Sequence, residues 1–227
     1  MTRGELPTSG LKLPMRVWDA PIRLIHWAVV VLVLVSFISA QLGWMQIHLV
    51  SGYVMLTALL FRLVWGFAGS ETARFRAFLV SPVKGLRHLS AFSRREPDTE
   101  IGHNAAGGWI VLVILLLLGL QVATGLGANN DHGTEGPLAK YLGKQLSNRV
   151  SEAHSVNFWL IVAAIVVHML AVAAYAWLKG QNLLRPMITG KKRLPGAMRA
   201  PRMATPLRAI TVFLGAAAIT ALIATRL

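Results

Sequence analysis

The sequence predicts an all-α integral membrane protein with five transmembrane helices. Hydrophobic residues make up 55% of the 227 residues and charged residues only 14%, which is too apolar for a soluble domain of this size. Asp, Glu, Lys and Arg are absent from three long stretches, at 24–61, 101–130 and 153–178. Because about 20 apolar residues span the hydrocarbon core of a bilayer, each stretch is long enough to cross a membrane.

The first stretch predicts two helices joined by a short link. A single helix over residues 24–61 would be about 57 Å long, nearly twice the hydrocarbon thickness of roughly 30 Å. Two glutamines and a glycine interrupt the aliphatic side chains at 41–46, which predicts helices near 22–42 and 46–68. So short a link makes the two helices antiparallel neighbours.

The rest of the chain predicts three more helices and two polar segments. The helices fall near 104–128, 154–178 and 209–225, the last being the shortest at 17 residues. Residues 193–208 predict a basic cytoplasmic linker. Residues 1–21 contain no apolar signal core, so they predict a cytoplasmic N-terminal segment ahead of a retained first helix.

The basic residues are distributed unevenly about these spans. Eighteen Lys and Arg lie before the first helix, between the second and third, and between the fourth and fifth, against four on the other side. Because cytoplasmic loops are rich in Lys and Arg, this predicts a cytoplasmic N-terminus and a periplasmic C-terminus. The formal net charge of +14 would otherwise suggest nucleic acid. The uneven distribution explains the positive charge by the position of the chain in a lipid membrane. No nucleic-acid partner is therefore expected.

The sequence contains no cysteine. This excludes disulfides, thiolate zinc sites, Cys-ligated iron–sulfur clusters and the covalent attachment of c-type haem. Any haem is therefore expected to be held without a covalent bond.

Four histidines in the spans predict two sites at different depths. His154 and His168 are 14 residues apart on the fourth helix, so they share a face and are separated by about 21 Å. The helix directions place His48 level with His154 towards the outside. They place His26 level with His168 in the cytoplasmic half. Each pair joins two helices.

Such pairs favour haem over zinc as the bound metal group. Two neutral imidazoles without a nearby carboxylate or thiolate leave room for a porphyrin, whereas zinc would need further ligands. The alternative for any single histidine is an interhelical hydrogen bond. Four histidines matched in depth favour two haem b groups, ligated by His26 with His168 and by His48 with His154.

Three further residues are candidates for cofactor binding. Arg62 follows His48 by 14 residues, so it is predicted at the inner level, where it would neutralise a haem propionate or extend to the cytoplasmic surface. Gly52 would let the backbone approach a porphyrin, or would be a helix-packing contact. His103 would meet an inner propionate or a quinone head group, or be an ordinary helix-end residue.

Several ordered motifs resemble those of a known family, and the likeness runs over about residues 16–192. They are Val17-Trp18-Asp19, Arg23-Leu24-Ile25-His26-Trp27, Arg62-Leu63-Val64-Trp65-Gly66, Gly102-His103-Asn104, Glu152-Ala153-His154 with His168, and Asn182-Leu183-Leu184-Arg185-Pro186. By these motifs the chain resembles the bacterial cytochrome b561 family, which includes the b-type cytochrome subunits of Ni,Fe-hydrogenases.

The resemblance implies a fold and a location. It implies a four-helix di-haem bundle over residues 22–192 in the bacterial cytoplasmic (inner) membrane, with His26, His48, His154 and His168 at the ligand positions. The chain departs from the family at Ala105, where proline is common. It also departs after about residue 194, so the C-terminal transmembrane helix is additional to the common core.

The resemblance also implies electron transfer between the quinone pool and a redox partner. That partner would be a c-type cytochrome or a hydrogenase-like enzyme. The alternative is a self-contained quinone oxidoreductase, such as a superoxide:quinone oxidoreductase. A haem-free scaffold or transporter subunit is a third class, and it would predict a colourless protein.

Overall fold

The computed structural model describes residues 12–81, 83, 100–130, 133–196 and 198–226. Within them, five helices are long and apolar enough to cross a membrane, namely α1 (Ala20–Gln41), α2 (Met45–Ala68), α3 (Ala105–Gly127), α4 (Lys144–Leu178) and α5 (Pro206–Arg226). This confirms the predicted all-α membrane fold and its additional C-terminal helix. Residues 1–11 of the predicted N-terminal segment lie outside the described residues.

Side-chain caps fix where α1 and α3 begin. The Asp19 carboxylate accepts a hydrogen bond from the backbone N–H of Ile22 at 2.7 Å, which satisfies one of the free donors of the first helical turn. Its other oxygen accepts from the indole N–H of Trp65 at 3.0 Å, so the start of α1 is tied to the end of α2. Asn104 caps α3 through the N–H of Gly107 at 2.6 Å.

A glycine turn reverses the chain between α1 and α2. Gly43 has a φ of +69°, a left-handed conformation that costs glycine little and other residues more. The backbone N–H of Trp44 then donates to the carbonyl of Ser39 at 2.8 Å. The turn makes α1 and α2 antiparallel neighbours, as the sequence predicted.

The fourth helix is longer than predicted. It begins at Lys144 rather than near residue 154, and its 35 residues correspond to about 52 Å. The charged and polar side chains at 144–153 indicate where an apolar span ends, but they do not interrupt the hydrogen bonds of a helix. Its start follows Gly143, which has a φ of +70°.

Two short strands form a sheet that the sequence did not predict. Strand β1 (Lys12–Arg16) pairs antiparallel with β2 (Lys191–Pro195), with Met15 opposite Lys192. The pairing joins the predicted N-terminal segment to the start of the predicted linker. Leu194 is fully buried, so the sheet packs on the bundle.

The remainder of the predicted linker is anchored to the loop after α2, and α5 packs along α2. The backbone N–H of Glu71 donates to the carbonyl of Arg202, and the backbone N–H of Arg202 donates to the Glu71 carboxylate. The backbone N–H of Arg202 at 3.0 Å lowers the pKa of Glu71. Further along, the hydroxyls of Thr57 and Thr220 lie 2.9 Å apart. Residues 193–208 are therefore not a free connector.

The bundle has two chemically different ends. We call the end at which α1, α3 and α5 begin the basic end, and the other the opposite end. At the basic end the described residues include thirteen Lys and Arg: Lys12, Arg16, Arg23, Arg74, Arg76, Lys179, Arg185, Lys191, Lys192, Arg193, Arg199, Arg202 and Arg208. The opposite end has Lys140, Lys144, Arg149 and Arg226 among the described residues.

Candidate functional site

Two of the predicted histidines meet towards the opposite end of the bundle. The ring centroids of His48 on α2 and His154 on α4 lie 6.1 Å apart, and the ring planes are inclined at 80°. Nδ1 of His48 lies 2.8 Å from the backbone carbonyl of Ser36, and Nδ1 of His154 lies 2.9 Å from that of Gln121. Because a carbonyl can only accept, both Nδ1 atoms carry the proton. Both Nε2 atoms therefore carry a lone pair that can accept a donor or bind a metal, and that of His154 lies 3.1 Å from Nε2 of Gln121.

The other predicted residues gather near the basic end. His26 lies on α1 and His168 on α4, and their charges are close enough to interact. His103 is within electrostatic range of both histidines and of Arg62. Nδ1 of His26 is buried and has no hydrogen-bond partner among the described residues. The structure thus groups the candidate residues of this level in one region.

The guanidinium of Arg62 is held inside the protein. The side chain is only 6% exposed, whereas an arginine reaching to the membrane surface would expose its charged group. Its Cζ lies 4.8 Å from the ring centroid of Phe75 and 5.9 Å from that of Phe78. Nη1 is buried without a hydrogen-bond partner in the described part of the chain. The arginine therefore retains a donor for an anion.

His103 lies between two aromatic rings and lines a cavity. Its ring centroid is 4.7 Å from that of Trp18 and 4.7 Å from that of Phe78. Burial, and then the charge of Arg62, lowers the pKa of His103 to about 3, so the ring is neutral at pH 7. The cavity has a volume of about 400 Å³ and is also lined by Gly102, Met198 and Pro201 among others.

Glycines give close approach at one site and open space at another. A Cβ built on Gly125 of α3 would lie 3.1 Å from Cε1 of His154, so α3 contacts this imidazole closely only because residue 125 has no side chain. A Cβ on Gly52, one turn from His48, meets no described atom within 4 Å. Gly52 therefore borders free space rather than a packed helix.

The sequence analysis missed the polar groups that surround His154. Gln121 and Thr124 are the polar side chains of α3, and the Thr124 hydroxyl lies 3.1 Å from Nδ1 of His154. Asn157 follows His154 by three residues, on the same face of α4, and donates to Gln121 at 2.7 Å. Amides in otherwise apolar spans were the available signal, but only the packing of α3 on α4 shows their common target.

The donor sets favour a metal group that needs two protein ligands. Among the described residues, no group of three or more His, Asp or Glu side chains is placed to hold a metal ion. A structural zinc site uses four protein ligands and a catalytic one three. Each histidine pair supplies two.

Comparisons with known proteins identify the family. The family model described as prokaryotic cytochrome b561 matches residues 17–190. The chain is 27% identical to a probable Ni/Fe-hydrogenase B-type cytochrome subunit of Rhodobacter capsulatus, with 84% of this chain and 86% of the relative covered. The proteins of that name from Cupriavidus necator and Azotobacter vinelandii are 24% and 28% identical. Each alignment covers 77% of this chain, with 85% and 86% of the relatives, respectively.

No solved structure gives a significant match. The family match spans most of the chain and includes the motifs quoted from the sequence, which confirms the resemblance. Five apolar helices and the b-type cytochrome relatives make the protein a multi-pass membrane cytochrome of electron transfer that binds haem b. The chain therefore belongs to the prokaryotic cytochrome b561 family.

Proposed function

We propose that the protein carries two b haems and conducts electrons through the bilayer between the quinone pool and a redox partner. The observation that supports this proposal is that α4 has two histidines at different depths. His154 and His168 are 14 residues apart, or about 21 Å along the helix. His48 of α2 lies beside His154, and His26 of α1 is within electrostatic range of His168, so the haems would be stacked across the membrane.

The geometry of His48 and His154 fits two residues that would hold one haem between them. Their ring centroids lie 6.1 Å apart on separate helices, so the two imidazoles are close enough to share one metal centre. Both rings donate Nδ1–H to a backbone carbonyl, the arrangement that orients a metal-bound histidine and directs Nε2 to the metal.

The basic-end cluster fits an anionic cofactor that carries propionates. Nδ1 of His103 and Nη1 of Arg62 are buried without hydrogen-bond partners among the described residues, and an unpaired buried donor is costly. A propionate would accept from them. We assign His26 and His168 as the ligands here, and Arg62 and His103 as propionate or head-group contacts. The open space at Gly52 leaves room for a porphyrin edge at the other level.

The residues between the two levels keep the path dry. Met55 lies midway between His48 and Arg62 on α2, and Ile161 lies midway between His154 and His168 on α4. These two side chains are 5% and 2% exposed, and they cluster with Leu118. When bound, each haem supplies reversible one-electron iron chemistry. The chain's own contribution would be to hold the ligating histidines and to exclude water.

The cavity beside His103 is the proposed quinone site. It opens at the basic end, next to the level of His26 and His168. The neutral ring of His103 has a single N–H, which would go either to a quinone carbonyl or to an inner propionate. Because the relatives are named as hydrogenase subunits, we propose a hydrogenase-like enzyme as the electron donor, ahead of a c-type cytochrome.

We further propose that the basic end faces the cytoplasm of the inner membrane, with the C-terminus in the periplasm. The support is the concentration of Lys and Arg at the basic end, which is the side that cytoplasmic loops favour. A reporter enzyme that works only in the periplasm should be active when it is fused at residue 227 or in the loop near residue 133. Activity at these positions of a reporter that works only in the cytoplasm would contradict this orientation.

Turnover experiments distinguish the relay from a self-contained quinone oxidoreductase. The purified full-length protein in lipid vesicles should be reduced by a quinol, and it should reduce added quinone only when an electron donor such as hydrogenase is present. If the protein alone reduces quinone with superoxide, that result favours the self-contained quinone oxidoreductase, and the cavity beside His103 would be its quinone site. Failure of any quinol to reduce the protein would contradict the proposed quinone link.

Removing the charge of Arg62 should lower the reduction potential of the inner haem alone. A cation near the iron stabilises the ferrous state, which carries one less positive charge, so Arg62→Gln should shift this potential by tens of millivolts, that is, on the order of 1 kcal/mol. The outer haem, about 20 Å away, should barely respond. Potentiometric titration measures both components.

The matched control for Arg62 is Arg208→Gln. Arg208 is exposed, and it donates to the carbonyl of Ala68 at the same end of the bundle. This variant should leave both potentials unchanged. Equal shifts of both haems in Arg62→Gln, or no shift in either, would mean that Arg62 does not contact the inner haem.

A further inference from the structure

A chain of amides connects α4 to the imidazole of His154. The side-chain N–H₂ of Asn157 donates to the carbonyl of Leu117 at 2.9 Å and to Oε1 of Gln121 at 2.7 Å. Nε2 of Gln121 in turn lies 3.1 Å from Nε2 of His154, which can only accept because the proton is on Nδ1. Asn157 is 2% exposed. The amides therefore form a directed path to the ring.

This path differs from ordinary polar contacts between membrane helices. An amide in a transmembrane helix usually satisfies itself on a neighbouring helix and holds the two together. Here Gln121 contacts both nitrogens of one ring, because its backbone carbonyl accepts from Nδ1 of His154 at 2.9 Å. Gln121 thus contacts the imidazole on both sides, and the Thr124 hydroxyl, 3.1 Å from Nδ1, is a second contact on one of them.

The path also contains an acceptor that is not used. Oδ1 of Asn157 is buried and has no hydrogen-bond partner among the described residues. It belongs to the same amide that already contacts Gln121. When a metal takes Nε2 of His154, the N–H of Gln121 loses its acceptor, and Oδ1 of Asn157 is the buried group able to replace it. The side-chain amides of Gln121 and Asn157 would then be hydrogen-bonded to each other.

We propose that Gln121, held in place by Asn157, is a positioning residue for the outer haem ligand His154. The inference rests on the proposed function, since it needs a haem between His48 and His154. In the haem-free chain the Gln121 amide caps the ligating nitrogen. In the loaded protein Asn157 would hold the Gln121 side chain, and this contact would keep the Gln121 backbone carbonyl on Nδ1–H of His154, so that the ring stays in its orientation.

Gln121→Leu in the full-length protein tests the proposal. Loss of a group that orients a metal ligand lowers metal affinity by about 10–100-fold. Haem should therefore pass from the outer site to apomyoglobin about 10-fold faster or more, and the low-spin electron paramagnetic resonance signal of the outer haem should change. The inner haem should keep its release rate and its signal.

A swap of the two amides separates positioning from helix adhesion. Gln121→Asn with Asn157→Gln keeps both amides in the interface but shortens the one that reaches His154. Positioning predicts that the swap behaves like Gln121→Leu. Adhesion between α3 and α4 predicts that it restores the wild-type rate and signal, which would overturn the proposal.

Two further results complete the test. Thr57→Val removes a part-buried hydrogen bond between α2 and α5, nine residues along α2 from His48, or about 13 Å, so it should leave both haems unchanged. An unaltered outer haem in Gln121→Leu, with two haems in the wild type, would overturn this inference alone. A wild-type protein without an outer haem would overturn the proposed function, and this inference with it.

Discussion

Replacing His168 with alanine should remove the inner haem and leave the outer one, whereas His154→Ala should remove the outer haem and leave the inner one. Each haem depends on one imidazole from α4 and one from another helix, and the two levels share no ligand. His26→Ala should reproduce the loss in His168→Ala, and His48→Ala the loss in His154→Ala. Reduced-minus-oxidised spectra with potentiometric titration identify the missing component.

Each of the four histidine variants serves as an experimental control for the others. They make the same chemical change, at similar exposure, in one bundle, so a general loss of folding would remove both haems in all of them. If His26→Ala and His48→Ala lost the same spectral component, the assignment of the pairs by depth would be contradicted.

A single methyl group on Gly125 should cost most of the outer haem. The new Cβ would lie 3.1 Å from Cε1 of His154, so the ring would have to shift by a few tenths of an ångström, and its bond to the carbonyl of Gln121 with it. We expect Gly125→Ala to lose the outer haem during purification, although alanine favours a helix over glycine by about 1 kcal/mol. The ratio of haem to protein measures the loss.

Gly119→Ala is the matched control on the same helix. It makes the same substitution with the same gain in helix propensity, but its Cβ meets no described atom within 4 Å. It should retain both haems. Equal haem content in the two variants would contradict a close contact between α3 and the outer ligand.

Helical periodicity explains why the histidine levels could be predicted from the sequence. Residues 14 apart on a helix share a face, and antiparallel helices fix which ends lie level, so His48 and His154 could be paired without coordinates. The same periodicity predicted that Arg62 lies at the inner level. Its contacts with the rings of Phe75 and Phe78 could not be predicted, because those rings come from a one-turn helix, Phe75–Phe78, that follows α2.

Features made by long-range packing were beyond the sequence pattern. Strands β1 and β2 are five residues each and carry charges and prolines, so they form only because the ends of α1 and α4 bring them together. The start of α4 at Lys144 could not be predicted from hydropathy, because hydropathy indicates where an apolar span ends and not where a helix ends. Gln121 and Asn157 resemble any polar residues in a span until α3 and α4 are placed together.

The haem content of the purified protein tests the central claim most directly. Acid–acetone extraction removes non-covalent haem, and quantification of the extracted haem against protein mass gives the ratio. We expect two b haems per chain, all of them extractable, because two histidine pairs are assigned to different depths and the sequence contains no cysteine. A ratio of one or zero would contradict it.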